Sequence, residues 1–483
     1  MTLPNSIRST SMVRMPPPIR LDDVLGATGG TLLRPTGVTA IRGASVDSRT
    51  VTPECCFVAL HGERTDGHRF VADAVFGGAS AALVARPIEL PPELDAAIVL
   101  VADPLIALQE LARWWRSRQS AVAVGITGST GKTIAKEIVA DVLGSTHHVL
   151  RNPGNLNSET GLPITLLGLE PHDEIAVLEM SMYTVGEIAR LAEIAEPEVG
   201  VVLAVHPTHL ERAGSIERIA QAKAELPAAL PAHGLAVLNA DDPRVAAMAS
   251  ITRAEVRTFG VEQPATVRAT AIEPLGVEGT AFTVEAPWLR RRMRLGIPGR
   301  HLVGHALAAI AVAERFDVPA DEVEAVLAAG SHTAHRMAVV QARSGATLID
   351  DSYNASPVSV RAALEFVAET PLAGNGRRLA VLGDMLELGP DEESLHREIG
   401  AYAGRVLDGL VAVGPRGRWI AHGARDAGSA RVIEAPDAGE AAETLERDLV
   451  PGPADIVLVK GSRGIGLDRT VDLLRALQPG IRA

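Results

Sequence analysis

Cysteine is almost missing from these 483 residues: Cys55 and Cys56 are the only two. Adjacent residues make a poor structural disulfide, and two thiols cannot build a four-thiolate zinc site. Both lie in the apolar run from Cys55 to Leu60 and read as buried thiols of a reducing compartment, the cytoplasm. Aromatic residues are scarce at 3 %, so the cores have to be aliphatic. No apolar stretch approaches the roughly 20 residues of a membrane helix, which argues against membrane insertion. Met1 to Pro18 has prolines and arginines but no apolar h-region. It reads as a disordered extension and not as a secretory signal. Positive charge is short as well. A net charge of −13 argues against bulk nucleic-acid binding. It still allows an anionic small substrate in a local basic pocket.

What is present is aliphatic material for several cores, with 47 % hydrophobic residues. At roughly 100–200 residues per domain the length gives about three domains. The centre of the chain is the stretch Gly125-Ile-Thr-Gly-Ser-Thr-Gly-Lys132-Thr133. The apolar run from Ala121 to Val124 precedes it and reads as a buried strand. Ile134, Ile138 and Val142 follow at helical spacing. Strand, glycine turn and helix is the context in which a glycine motif signals phosphate. Gly128, Ser129, Thr130 and Gly131 bring backbone N–H groups around an oxyanion, and the helix N-terminus adds partial positive charge. Lys132 is suited to the outer phosphates and the Thr133 hydroxyl to Mg²⁺. The common motif has one more residue before its Gly-Lys pair, so this is a shorter variant with Ile126 at the usual first glycine.

Residues 19–118 read as a small α/β unit with strands at Val58–Leu60, Ala81–Val84 and Ala97–Val101. Ser48, Arg49 and the loop holding Asp66 and His68 are polar. Composition favours a solvated loop there over a phosphate or uridine site. Residues 119–333 alternate strands and helices, the pattern of a parallel sheet covered on both faces. Ligands bind beyond the carboxyl ends of such strands. The glycine loop, Glu179, His206 with His209, and the run Asn239 to Asp242 sit at the ends of four separate strands. Glu179 is placed for Mg²⁺, and His209 for a second ion or a phosphate. Asn155 and Asn157 lie in a polar loop that is either a substrate loop or plain surface. Lys223 sits on an alanine-rich helix and, on composition, faces solvent. Residues 334–483 read as a third α/β unit with strands at Ala346–Ile349, Leu379–Leu382 and Ile456–Val459.

Several stretches together resemble a known family. They are Thr127-Gly-Ser-Thr-Gly-Lys-Thr133, Gly154-Asn-Leu-Asn157 with Gly161-Leu-Pro163, Leu178-Glu-Met180, His209-Leu-Glu211, Ala222-Lys223, His335-Arg336 and Asp350-Asp-Ser-Tyr-Asn-Ala355. In this order they are similar to the ATP-dependent Mur ligases. Gly383-Asp-Met-Leu-Glu-Leu-Gly389 and Lys460-Gly-Ser-Arg463 are most similar to the branch that adds D-alanyl-D-alanine.

The resemblance implies a three-domain α/β architecture: a UDP-sugar domain, a central parallel-sheet P-loop ATPase domain and a Rossmann-like C-terminal domain. It implies ATP and Mg²⁺ as cofactors. It also implies a monomer that joins D-alanyl-D-alanine to a UDP-N-acetylmuramoyl tripeptide in peptidoglycan synthesis. Lys132, Glu179, His209 and Lys223 become catalytic, with Thr133, Glu179, His209 and a carboxylated Lys223 on metal. His305, Arg336 and Asp351 contact the nucleotide. Ser48, Arg49, Asp66, His68, Asn155 and Asn157 face the sugar nucleotide. Departures from the family pattern at Ser158, Ser181, Ala204–Pro207, Leu302 and His305 leave open a second reading, a ligase of a different acid and amine.

Overall fold

The computed structural model describes residues 15–475 except 63–64, 92, 208–209, 331–332 and 430. His209 therefore lies outside the described residues, as does most of the expected N-terminal extension. The extension ends sooner than expected, because Pro18 opens a strand and pairs with Arg42 in the antiparallel ribbon of Pro18–Arg20 with Ala40–Arg42. Ile19 and Ile41 are the buried residues of that ribbon, so apolar burial sets its register.

The chain divides into two compact units, of which the first comprises residues 1–125, 147–181 and 189–197. It holds a five-stranded sheet in the order Thr31–Leu32, Ala97–Leu100, Ala81–Val84, Cys56–Val58, Ala44–Ser45. All neighbours are parallel except the first pair. Strands Ala81–Val84 and Cys56–Val58 are buried along their whole length, as expected for parallel strands covered on both faces. Cys55 and Cys56 are free and buried in this core, and burial pushes both thiols up. The helix Pro104–Arg116 starts at Asp103, whose carboxylate accepts the N–H groups of Leu105 and Ile106. The same unit carries strand Val149–Arg151 parallel to Ile175–Glu179.

The second unit comprises residues 126–146, 182–188 and 198–483. Its first sheet runs in parallel from Pro197–Val202 through Leu235–Asn239 and Glu255–Gly260 to Val267–Pro274. It then turns antiparallel through Thr280–Ala286 and Leu289–Leu295. The alternation of strands and helices marked a parallel sheet, and the stretch from Phe282 to Pro298 read as a hairpin, which this antiparallel pair is. The alternating exposed arginines of Leu289–Leu295 explain the change, since a two-sided edge strand keeps one face in water. The second sheet has the order Ala338–Gln341, Thr347–Asp350, Ile456–Lys460, Arg378–Gly383, Gly409–Val413, Val432–Ala435. Only its first strand is antiparallel. Strands Gly409–Val413 and Val432–Ala435 were not marked in the sequence reading; both are short.

Candidate active site

In the second unit the glycine loop leads into the helix Lys132–Gly144. Gly131 caps it at φ 78°, and a Cβ there would run into His305 Nε2, so close approach as well as backbone angle requires glycine. Lys132 Nζ folds back over the loop and donates to the carbonyls of Gly128 at 2.8 Å and Ser129 at 3.4 Å. Ser129 is turned inward. Its hydroxyl donates to His206 O at 3.0 Å and accepts from His206 N at 2.9 Å. Its own N–H donates to Ala204 O at 2.8 Å. Ser129 thus fastens the loop to the segment after strand Pro197–Val202. Asp242 braces that segment by accepting the Val205 N–H at 2.7 Å.

Arg336 reaches the loop from the start of the second sheet, its Nη2 donating to Thr133 Oγ1 at 3.1 Å. Its Nε is buried and has no partner. Asp351, expected to touch nucleotide, is engaged within the protein. It accepts the Met337 N–H at 3.3 Å and the Lys460 ammonium at 2.5 Å, while Lys460 also donates to Asn354 O at 2.9 Å. Lys460 was marked as part of the Lys460-Gly-Ser-Arg463 motif but not as a partner of Asp351; a pairing across 109 positions leaves no local signal.

Lys223 corrects the composition reading. It is 3 % exposed on the helix Ile216–Ala229. Burial, and secondarily the Lys132 ammonium, push its amine well below the usual lysine value. Among the described residues no carboxylate neutralises it. His305 is also buried at its ring nitrogens, and neither has a well-aligned hydrogen-bond partner. Burial pushes the ring down to about 4, so it is neutral at pH 7 and carries one donor and one acceptor.

The first unit presents Glu179 at the end of strand Ile175–Glu179, 2 % exposed. Asn157 Nδ2 donates to its Oε1 at 2.6 Å. Asn152 staples the backbone: its side chain accepts the Glu179 N–H at 2.9 Å and donates to the carbonyls of Glu179 at 3.1 Å and Leu156 at 2.9 Å. Asn155 is exposed. Asn157, expected on substrate, orients the carboxylate, and Asn152 was not singled out in the sequence.

On the expected UDP side of this unit, His68 is tied on both ring nitrogens. Nδ1 meets Asp66 Oδ1 at 2.6 Å, and Nε2 accepts the Ala85 N–H at 2.9 Å. Asp66 also receives the His68 N–H at 3.0 Å and Arg86 at 2.6 Å. Arg49 lies in an exposed turn against Asp47 at 2.6 Å, which holds Asp47 at about 2, and Ser48 is half-buried beside it.

These residues fit a nucleotide and a hard cation. Glu179 Oε2 is a buried carboxylate oxygen without a donor, the form a divalent cation accepts. Arg336 Nε is a buried donor without an acceptor, and Gly131 opens a helix N-terminus, both suited to phosphate. Buried polar groups are rarely left unpaired without a reason. Within the second unit, a helix N-terminus at Gly131 and the buried Arg336 Nε beside the glycine loop are the arrangement of a nucleotide-binding α/β enzyme, and the first unit separately offers the Glu179 carboxylate.

Comparison with known proteins makes the class specific. Three family models match in chain order: the Mur ligase family catalytic domain over residues 40–116, the Mur ligase middle domain over 126–313, and the Mur ligase glutamate ligase domain over 335–463. The UDP-N-acetylmuramoyl-tripeptide–D-alanyl-D-alanine ligase of Mycobacterium bovis is 40 % identical over 469 residues, 89 % of this chain and 91 % of the relative. MurF from Acinetobacter baumannii superposes with a TM-score of 0.83 at 30 % identity, covering 95 % of this chain and 99 % of that one. MurF ligase from Thermotoga maritima, solved in complex with ADP, gives a TM-score of 0.77 at 30 % identity, with 89 % and 96 % covered. The chain belongs to the Mur ligase family, whose members are ATP-dependent ligases.

Proposed function

We propose that this chain joins the amine of D-alanyl-D-alanine to the terminal carboxylate of UDP-N-acetylmuramoyl tripeptide, with ATP cleaved to ADP and phosphate. The observation that carries this reading is near full-length similarity to ligases of that name, at 40 % identity for the Mycobacterium bovis relative and 35 % for that of Bacillus subtilis. Relatives from such distant bacteria share one acid and one amine, so the reading with a different substrate pair is not favoured.

The tripeptide carboxylate attacks the γ-phosphorus of ATP, and ADP leaves. The amine then attacks the acyl carbon, loses a proton, and phosphate departs. Positioning and charge neutralisation supply most of the rate in phosphoryl transfer. Lys132 swings from the Gly128 and Ser129 carbonyls to the outer phosphates, and Arg336 adds a second positive group. Magnesium, when bound, spreads the charge of the phosphate oxygens. Thr133, Glu179, His209 and Lys223 are its proposed ligands. Burial lowers the basicity of Lys223 and so favours the neutral amine, the form that combines with CO₂ to give an anionic carbamate suited to metal. His305 is proposed for the nucleotide. Ser48, Arg49 and the Asp66–His68 loop are proposed for the sugar nucleotide. The domains are proposed at 19–118, 119–333 and 334–483, in a cytoplasmic monomer. No described helix is long and apolar enough to cross a membrane.

Incubation with ATP, Mg²⁺, the UDP-tripeptide and D-alanyl-D-alanine should give the pentapeptide and one phosphate per amide. Lys132→Ala should lower this rate by about 10²–10³-fold. Absence of pentapeptide with the intact protein would sink the assignment.

A further inference from the structure

Arg336 is flanked on both sides by left-handed, non-glycine backbone: His335 has φ 60° and Met337 φ 52°. Such conformations are costly and persist only where surrounding contacts hold them. Here the turn after strand Thr347–Asp350 does so. Asp350 Oδ2 meets His335 Nδ1 at 2.9 Å, and Asp351 accepts the Met337 N–H at 3.3 Å. Tyr353 N–H donates to His335 O at 3.2 Å. The ring of Tyr353 then lies under the guanidinium of Arg336, 4.2 Å from its centroid. Arg463 approaches the same ring at 5.4 Å. A clamped backbone and an aromatic platform together aim one fork, and it points at Thr133 with its Nε unpartnered.

We propose that Tyr353 is a positioning residue for phosphoryl transfer: its ring face holds Arg336 against the phosphate loop, so that the free Nε meets the terminal phosphate of the nucleotide. This rests on the ligase reading above. Thr133 follows the lysine of the loop and lies at the outer-phosphate end of such motifs. An arginine held there distinguishes a triphosphate from a diphosphate. Tyr353 needs only its ring for this, since a cation–π contact is made to the aromatic face.

The test compares equilibrium binding of ADP and of a non-hydrolysable β,γ-imido ATP analogue, both with Mg²⁺, by calorimetry on the full chain. Tyr353→Leu should lose about tenfold of the analogue's affinity relative to ADP, whereas Tyr353→Phe keeps it. In an Arg336→Ala background Tyr353→Leu should change nothing further, because the two act as one unit. Arg336→Lys, which keeps the charge and removes the planar fork, should also lose the preference. Thermal unfolding identifies any variant that fails to fold; if Tyr353→Leu does, the Phe and Lys variants decide. An unchanged analogue preference in Tyr353→Leu or Arg336→Lys, an equal loss in the Arg336→Ala background, or no preference in the intact protein overturns the proposal. Pentapeptide synthesis by the intact protein is scored separately, so a wrong amine or acid would leave the binding result standing.

Discussion

Two polar clusters look alike in sequence and differ in what they leave unpaired. The loop of Asp66 and His68 satisfies its own side chains: both histidine nitrogens and both aspartate oxygens have partners within the chain. The groups around the phosphate loop in the second unit do not, and neither, separately, does Glu179 in the first. Arg336 Nε, both nitrogens of His305 and Glu179 Oε2 are buried without well-aligned hydrogen-bond partners. A closed network is what a fold needs to hold a loop, while unmet buried valence is retained where a ligand completes it. The contrast separates positioning residues from contacting ones, and three substitutions test it.

The largest effect belongs to Glu179. Glu179→Gln replaces the unpartnered oxygen with an amide and removes the charge a divalent cation needs. Pentapeptide synthesis should fall by about 10²-fold and recover partly at high Mg²⁺. Unfolding in urea should change little, since the Asn152 staple holds backbone only. A fully active Glu179→Gln protein would erase the difference between the two clusters.

Lys223 gives the next effect, and it has a sign. The folded state resists protonating this buried amine, whereas the unfolded chain protonates it below about 10.4. Between the lowered folded value and the unfolded one, the unfolded state therefore binds more protons, and stability rises as pH climbs through that window. Relative to the Lys223→Met protein, the wild type should gain stability between pH 7 and pH 10 in urea unfolding. Lys223→Met should also lose ligase activity. Parallel stability profiles for the two proteins would mean that Lys223 is not held neutral.

The smallest effect is expected at His68. His68→Ala leaves the Ala85 N–H without its acceptor and should cost about 1 kcal/mol of stability. Both ring nitrogens are tied within the chain, so His68 shapes the proposed sugar-nucleotide loop from behind, and its loss should raise the KM for the UDP-tripeptide a few-fold with kcat little changed. A kcat loss without a stability loss would move His68 to the contacting class.

Much of the site was legible in sequence because its motifs are local. Strand, glycine turn and helix sit within a dozen residues, and Thr133 and Lys132 follow from that spacing alone. Glu179 was found as an acid at a strand end. The relations among such residues were not legible. Asn157 read as a substrate group and holds Glu179; Asp351 read as a nucleotide contact and pairs with Lys460. Lys223 read as solvated and is buried. Side-chain type is written in one dimension, but burial and pairing come from distant strands meeting.

By itself, then, the sequence determined the chemistry available: a phosphate-binding turn, carboxylates and histidines at strand ends, aliphatic cores and thiols kept from disulfides. The tertiary structure decided which of those groups are engaged and which are left over. It set Arg336 between two left-handed residues and above Tyr353, a contact between positions that no local spacing links. Local motifs arise from neighbouring dihedrals and hydrogen bonds. Leftover valence exists only once the long-range packing has removed water from some polar groups and supplied partners to others.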